Sequence, residues 1–231
     1  MHIETLKLVD TLPTKAVFDV GAGLSLVIEP HAPGVFRIRC GRPETVAADI
    51  LPGARARVHA DVLLARPEAI GEGTLEPLSG ATKGWQMIQG DVTLDVHSHP
   101  FHLNLKRLGK TVLELSDTGI QGHGDCWSVG FKLAAQEKIF GLGETHGDLD
   151  RRTEVILSDS PEHRALPLAW GPSGWGVYTN TLARVEHDLG AETSHEYLIT
   201  IEDAMLDLFV FAAEPAEILN QYTQLTGRAE I

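Results

Sequence analysis

Twelve short stretches of this sequence alternate apolar with polar residues or are dense in β-branched ones. They are 24–29, 35–40, 57–64, 85–89, 92–96, 101–107, 111–115, 128–134, 176–180, 183–188, 196–200 and 206–211, and Gly, Pro, Asp or Ser separates them. In 101–107, F-H-L-N-L-K-R, the apolar Phe101, Leu103 and Leu105 fall on one face of an extended chain. A parallel sheet needs crossover segments of about a dozen residues, usually helical, and no helical period of that length separates these runs. The pattern predicts an all-β fold, an antiparallel β-sandwich. Periodicity alone leaves immunoglobulin-like, jelly-roll and larger sandwiches open.

One helix is expected, near the C-terminus. Glu214 stands at a capping position, Pro215 suits the first turn and Gly227 can end it. Ile218, Leu219, Tyr222 and Leu225 recur at three-to-four spacing and predict an apolar face that packs on the sandwich. The stretch 65–84, rich in Gly, Pro and Glu, reads as a long loop. No internal repeat and no second core is visible, so the organisation expected is one sandwich over 1–213 followed by a helix over 214–231.

Composition narrows the function classes. A formal charge of −13 on 231 residues argues against nucleic acid and anionic membrane as partners. It says little about neutral sugars and leaves homo-oligomer formation open. No apolar run reaches the 18 residues of a membrane span. The N-terminal M-H-I-E-T-L-K-L-V-D lacks the basic and apolar segments of a secretory signal, so a cytoplasmic location is expected. Cys40 and Cys126 are too few and too distant for a disulfide framework, and read as two buried free thiols. Gly119–Gly124, G-I-Q-G-H-G, lacks the lysine and βαβ setting of a phosphate loop and reads as a turn. His97, His99 and His102 are close enough for a metal to be considered. Pro100 interrupts their register, however, and no partner ligand is identifiable, so no metal site is assigned.

The stretch 139–152, I-F-G-L-G-E-T-H-G-D-L-D-R-R, is the most promising for function. Gly141, Gly143 and Gly147 bracket Glu144, and Asp148, Asp150, Arg151 and Arg152 follow. Glycines this dense among charges suggest a shaped loop beside a strand, where binding residues often sit. The plainer alternative is a turn pinned by its own ion pairs. Trp170 and Trp175 bracket a Gly-Pro-Ser-Gly turn. Either ring can stack on a sugar, or simply pack in the core.

F-G-L-G-E at 140–144 with L-D-R-R at 149–152, P-L-A-W-G-P-S-G-W-G-V-Y-T-N at 167–180, and P-A-E-I-L-N-Q-Y-T-Q-L-T-G-R at 215–228 together resemble the N-terminal domain of glycoside hydrolase family 31. This is the α-glucosidase and α-xylosidase family. The resemblance covers roughly 127–228, in family order. It implies a supersandwich of the galactose mutarotase-like kind and a linker helix leading to a catalytic (β/α)8 barrel. The expected partners are that barrel, in the same parent chain, and the parent's carbohydrate substrate. The family's nucleophile and acid/base carboxylates belong to the barrel, so no catalytic residue is expected in this chain. No metal and no organic cofactor is implied.

The resemblance makes Glu144, Asp148, Asp150, Arg151, Arg152, Asp159, Trp170 and Trp175 candidates for a substrate-side rim. Carboxylates accept hydrogen bonds from sugar hydroxyls and arginine donates several. Glu144 is expected to be buried and hydrogen-bonded, shaping the corner. Two departures stand out. The family's usual glycine after L-D-R-R is Thr153 here, and the rim loop's Asn-Thr-Asp-like stretch is missing, which leaves Asp159 as the nearest aspartate. Two rivals remain: an independent carbohydrate-binding module, and a mutarotase-like sugar epimerase, which needs a histidine and a carboxylate converging around a sugar-sized pocket.

Overall fold

Eleven of the twelve alternating runs form strands, and each of these pairs antiparallel with its neighbours. A computed structural model describes residues 1–12, 15–46, 63–65, 71–80, 83–144, 147–159 and 166–228. Its strands are β1 (Lys7–Leu12), β2 (Lys15–Gly21), β3 (Leu24–Ala32), β4 (Val35–Gly41), β5 (Thr74–Pro77), β6 (Gly84–Gln89), β7 (Val92–Ser98), β8 (Phe101–Arg107), β9 (Lys110–His123), β10 (Cys126–Lys132), β11 (Phe140–Gly141), β12 (Val155–Leu157), β13 (Leu168–Gly171), β14 (Trp175–Thr179), β15 (Val185–Asp188), β16 (Glu196–Ile201) and β17 (Leu206–Ala212). The helices are a single turn, α1 (Pro43–Val46), and α2 (Pro215–Thr226). Eight strands make one sheet in the order β1-β2-β3-β4-β17-β14-β13-β11, and nine make the other, β12-β15-β16-β10-β9-β8-β7-β6-β5. This is an all-β sandwich with a C-terminal helix.

Alternation decides what lies between the sheets. Phe101, Leu103 and Leu105 of β8 turn inward, as do Leu94 and Val96 of β7 opposite them. From the other sheet come Phe18, Leu26, Phe36 and Ile38. Each such side chain, fully buried, contributes about 1.5–3 kcal/mol of transfer free energy.

The eight-stranded sheet is covered on its outer face too. β4 and β17 are buried at every position. Leu206, Leu208 and Val210 face the core, while Phe209 and Phe211 face outward into a second apolar layer with Leu168, Tyr178, Ile218 and Leu225. Helix α2 closes this layer. Ile218, Tyr222 and Leu225 lie along one side of it, four and three residues apart, and Ile218 is fully buried. Leu219 was expected on the same face but is 42% exposed. One residue on from Ile218 is a rotation of about 100°, which carries it toward solvent. The Glu214 side chain makes no cap. Its carboxylate accepts a 2.6 Å hydrogen bond from Arg107 instead.

That outer layer also holds charge. Arg37 donates to both carboxylate oxygens of Asp207, at 2.9 and 2.7 Å, and its guanidinium lies over the Phe209 ring. Asn180 donates to Asp207 at 2.8 Å and Tyr178 donates to Asn180. Arg39 reaches Glu29 at 2.9 Å. Burial opposes the ionised form of Asp207, but the charge and hydrogen bonds of Arg37 outweigh it and hold the carboxyl below its ordinary value.

Other expectations are corrected here. The strands β1, β2, β11, β12 and β13 fall outside the twelve expected runs, and β5 lies within the stretch 65–84 that reads as loop. The G-I-Q-G-H-G stretch is mostly strand: β9 continues to His123, and the turn comes at Gly124-Asp125. Cys40 is buried and its thiol is pushed up to about 12, whereas Cys126 is only half-buried. Most of the run 57–64 lies outside the described residues. Among the described residues no helix is long and apolar enough to cross a membrane.

Candidate functional site

The corner around 139–154 is built by backbone geometry first. β11 pairs with β13 through Phe140–Trp170 and Gly141–Ala169. A Cβ at Gly141, whose φ is 101°, would collide with the Leu168 carbonyl, so the close approach needs glycine. The chain then turns away and comes back, where Arg151 N donates to Ile139 O at 2.7 Å.

Three of the candidate residues pin this return. Asp150 Oδ1 accepts from Ile139 N at 3.1 Å and from Arg152 N at 3.2 Å. Arg151 is buried, and its guanidinium lies 3.5 Å from Glu154. Arg152 donates to the carbonyls of Ala134, Glu137 and Ser194, tying three segments together. These are internal anchors rather than groups held out to a ligand.

Glu144 and Asp148 stand differently. Both are exposed, and Leu149 beside them is 82% exposed. The expectation of a buried, hydrogen-bonded Glu144 is therefore corrected. After β11 Leu142 is buried in the core while Glu144, Asp148 and Leu149 are exposed, and the pinning falls to Asp150, Arg151 and Arg152. Asp159 is exposed and 3.3 Å from Arg184, which also bonds Glu202 at 2.6 Å. Much of the stretch following Asp159, 160–165, lies outside the described residues.

The tryptophans divide. Trp175 is 2% exposed and its ring is sealed in the core. Its Nε1 donates to Glu137 at 3.0 Å. Trp170 is half-buried and packs on Phe140, with ring centroids 4.9 Å apart. Glu137 is a residue that motif reading missed. It accepts from Ser173 Oγ at 2.6 Å as well as from Trp175, so it fixes the β13–β14 turn. Its only sequence signal is position: it lies just before F-G-L-G-E.

Two of the three neighbouring histidines form a cross-strand pair. His97 and His102 face each other across β7 and β8, with ring centroids 6.0 Å apart. His102 Nε2 lies 2.9 Å from Glu114, which also accepts from Lys132 at 2.7 Å. Burial opposes the Glu114 carboxylate, but the bonds from Lys132 and His102 outweigh it and lower its pKa, while burial lowers that of His97. Among the described residues no group of three or more His, Cys, Asp or Glu is placed to hold a metal ion.

No family model matches the chain. It is 26% identical over 108 residues to alpha-xylosidase XylQ of Lactiplantibacillus pentosus, a match covering 43% of this chain and 14% of that protein. It is 24% identical over 217 residues to alpha-glucosidase 2 of Bacillus thermoamyloliquefaciens, covering 84% of this chain and 27% of that protein. A solved GH31 dextranase of Flavobacterium johnsoniae matches 100% of this chain and 29% of its own, with a TM-score of 0.83 at 16% identity. The chain is thus a two-sheet β-sandwich of the fold found within GH31 glycosidases. It spans 14–27% of the length of these two curated relatives.

Proposed function

We propose that this chain is the N-terminal, non-catalytic β-sandwich of a larger retaining α-glycosidase of the glycoside hydrolase family 31 type, acting on α-glucosides or α-xylosides. In that role it buttresses a (β/α)8 barrel, and α2 is the link into it. The barrel supplies the two carboxylates of the chemistry, one as nucleophile and one as acid/base. The observation that carries this reading is the match of all of this chain to 29% of a GH31 dextranase.

The corner at 139–154 supports a role at the rim. Asp150, Arg151 and Arg152 hold its backbone from inside, and Glu144, Asp148 and Leu149 are left facing outward. A loop held rigidly from behind can present a carboxylate to a neighbouring domain or to a substrate hydroxyl without an ordering cost. Reading the gene beyond the codon for Ile231 tests the proposal. A following barrel with two aspartates suitably placed is the expected result. A stop codon there would favour an independent carbohydrate-binding module instead.

A further inference from the structure

A cleft of about 630 Å³ opens between α2, the β3–β4 turn and the β6–β7 turn. That volume is within the range of small-molecule sites, roughly 300–1,000 Å³. Its floor depends on Gly34, whose φ is 73° and where a Cβ would stand 2.9 Å from the Ala212 carbonyl.

Gln89 lines the cleft and is 8% exposed. Both atoms of its amide, Nε2 and Oε1, are enclosed and have no hydrogen-bond partner. Gln221, across the cleft on α2, donates to the Pro33 carbonyl at 2.8 Å, but its Oε1 is also buried without a partner. Unpaired polar atoms of this kind are uncommon in folded proteins, and each calls for an explanation. The Gln89 amide rests against Gly71.

The lining selects the ligand's chemistry. Among the described lining residues Glu72, Asp91 and Glu217 stand against one cation, Arg107, which is already bonded to Glu214 at 2.6 Å, so an anion is disfavoured. Among the described residues no aromatic side chain lines the cleft, so an apolar or aromatic ligand finds no platform there. An ammonium group would satisfy the acceptors but leave Gln89 Nε2 unpaired. A hydroxyl both donates and accepts, and so pairs with every one of these groups. We propose that this cleft binds a neutral saccharide, with Gln89 and Gln221 as its hydrogen-bonding partners. The cleft is built from this chain alone, so failure of this proposal would leave the barrel-partner reading standing.

The test is a titration of the 15N-labelled protein with maltose and with isomaltose, followed by NMR. The expected result is a shift of the Gln89 side-chain amide and the Asp91 backbone amide, saturating in the millimolar range. Gln89→Met keeps the volume and removes both polar atoms. It should weaken binding by about tenfold or more without lowering the urea midpoint, because no partner in the free protein is lost. Asp91→Asn, an exposed position, should weaken binding several-fold and decides the matter if Gln89→Met does not fold. No shift with either sugar, or binding that these variants leave unchanged, would overturn the proposal, as would a response to tri-lysine with none to sugar. So would a lower urea midpoint for a folded Gln89→Met.

Discussion

Thr153 is held at φ 68°, a left-handed conformation, at the position where the family resemblance expects glycine. Its amide donates to the Leu189 carbonyl at 2.9 Å, which fixes the backbone there, and its side chain is exposed. A β-branched residue in this region costs about 1–2 kcal/mol. Replacing it with glycine relieves that strain and sacrifices little burial. Glycine in turn loses more backbone entropy on folding, about 0.5–1 kcal/mol. Thr153→Gly should therefore stabilise the protein by up to about 1.5 kcal/mol, a rise in Tm of up to roughly 6 °C for a chain of this size. Urea titration of the wild type, Thr153→Gly and Thr153→Val measures it, with valine at or below the wild type because it keeps the branch. A glycine variant less stable than the wild type, at unchanged m-value, would refute the reasoning.

Ile218→Ala removes a fully buried side chain from the α2 layer and should cost about 2–5 kcal/mol by denaturant titration. Arg37→Met leaves Asp207 buried without its bidentate partner and should cost about 3–5 kcal/mol, read the same way. His187 is buried, bonded to Tyr197 at 2.7 Å, and burial pushes its pKa down to about 3. The unfolded chain, with a histidine pKa near 6.5, then binds the extra proton. Stability is therefore full above that pH and falls by up to about 1.4 kcal/mol per unit between about pH 6.5 and 3. Urea midpoints from pH 7 to pH 5 should show this loss, and His187→Gln should flatten it.

How much of this was legible follows from which signals are local. The alternation in β8 and the three-to-four spacing in α2 are local, and both elements stand where the sequence puts them. β5 was not legible because T-L-E-P is only four residues long and ends on a proline, and it becomes a strand by pairing with β6, a partner chosen by the sheet. β11 is two residues long and exists because Gly141 lets the chain press on Leu168. At the candidate site the motif located the corner but not the direction its side chains take. Asp150, Arg151 and Arg152 turn in and Glu144 turns out, and that depends on contacts with Ile139, Ala134 and Ser194 that are distant in sequence. Glu137 was missed for the same reason: its partners, Ser173 and Trp175, are more than thirty residues away. The cleft beside α2 brings together residues from Pro33 to Gln221, a juxtaposition no spacing rule encodes.

The role proposed for this sandwich is to assist glycoside hydrolysis without performing it. The direct measurement is turnover of aryl α-glucosides and aryl α-xylosides by the purified 231-residue chain. No release of the aryl alcohol above the uncatalysed rate is expected with either substrate. Turnover that persists at constant specific activity through repeated purification would contradict it.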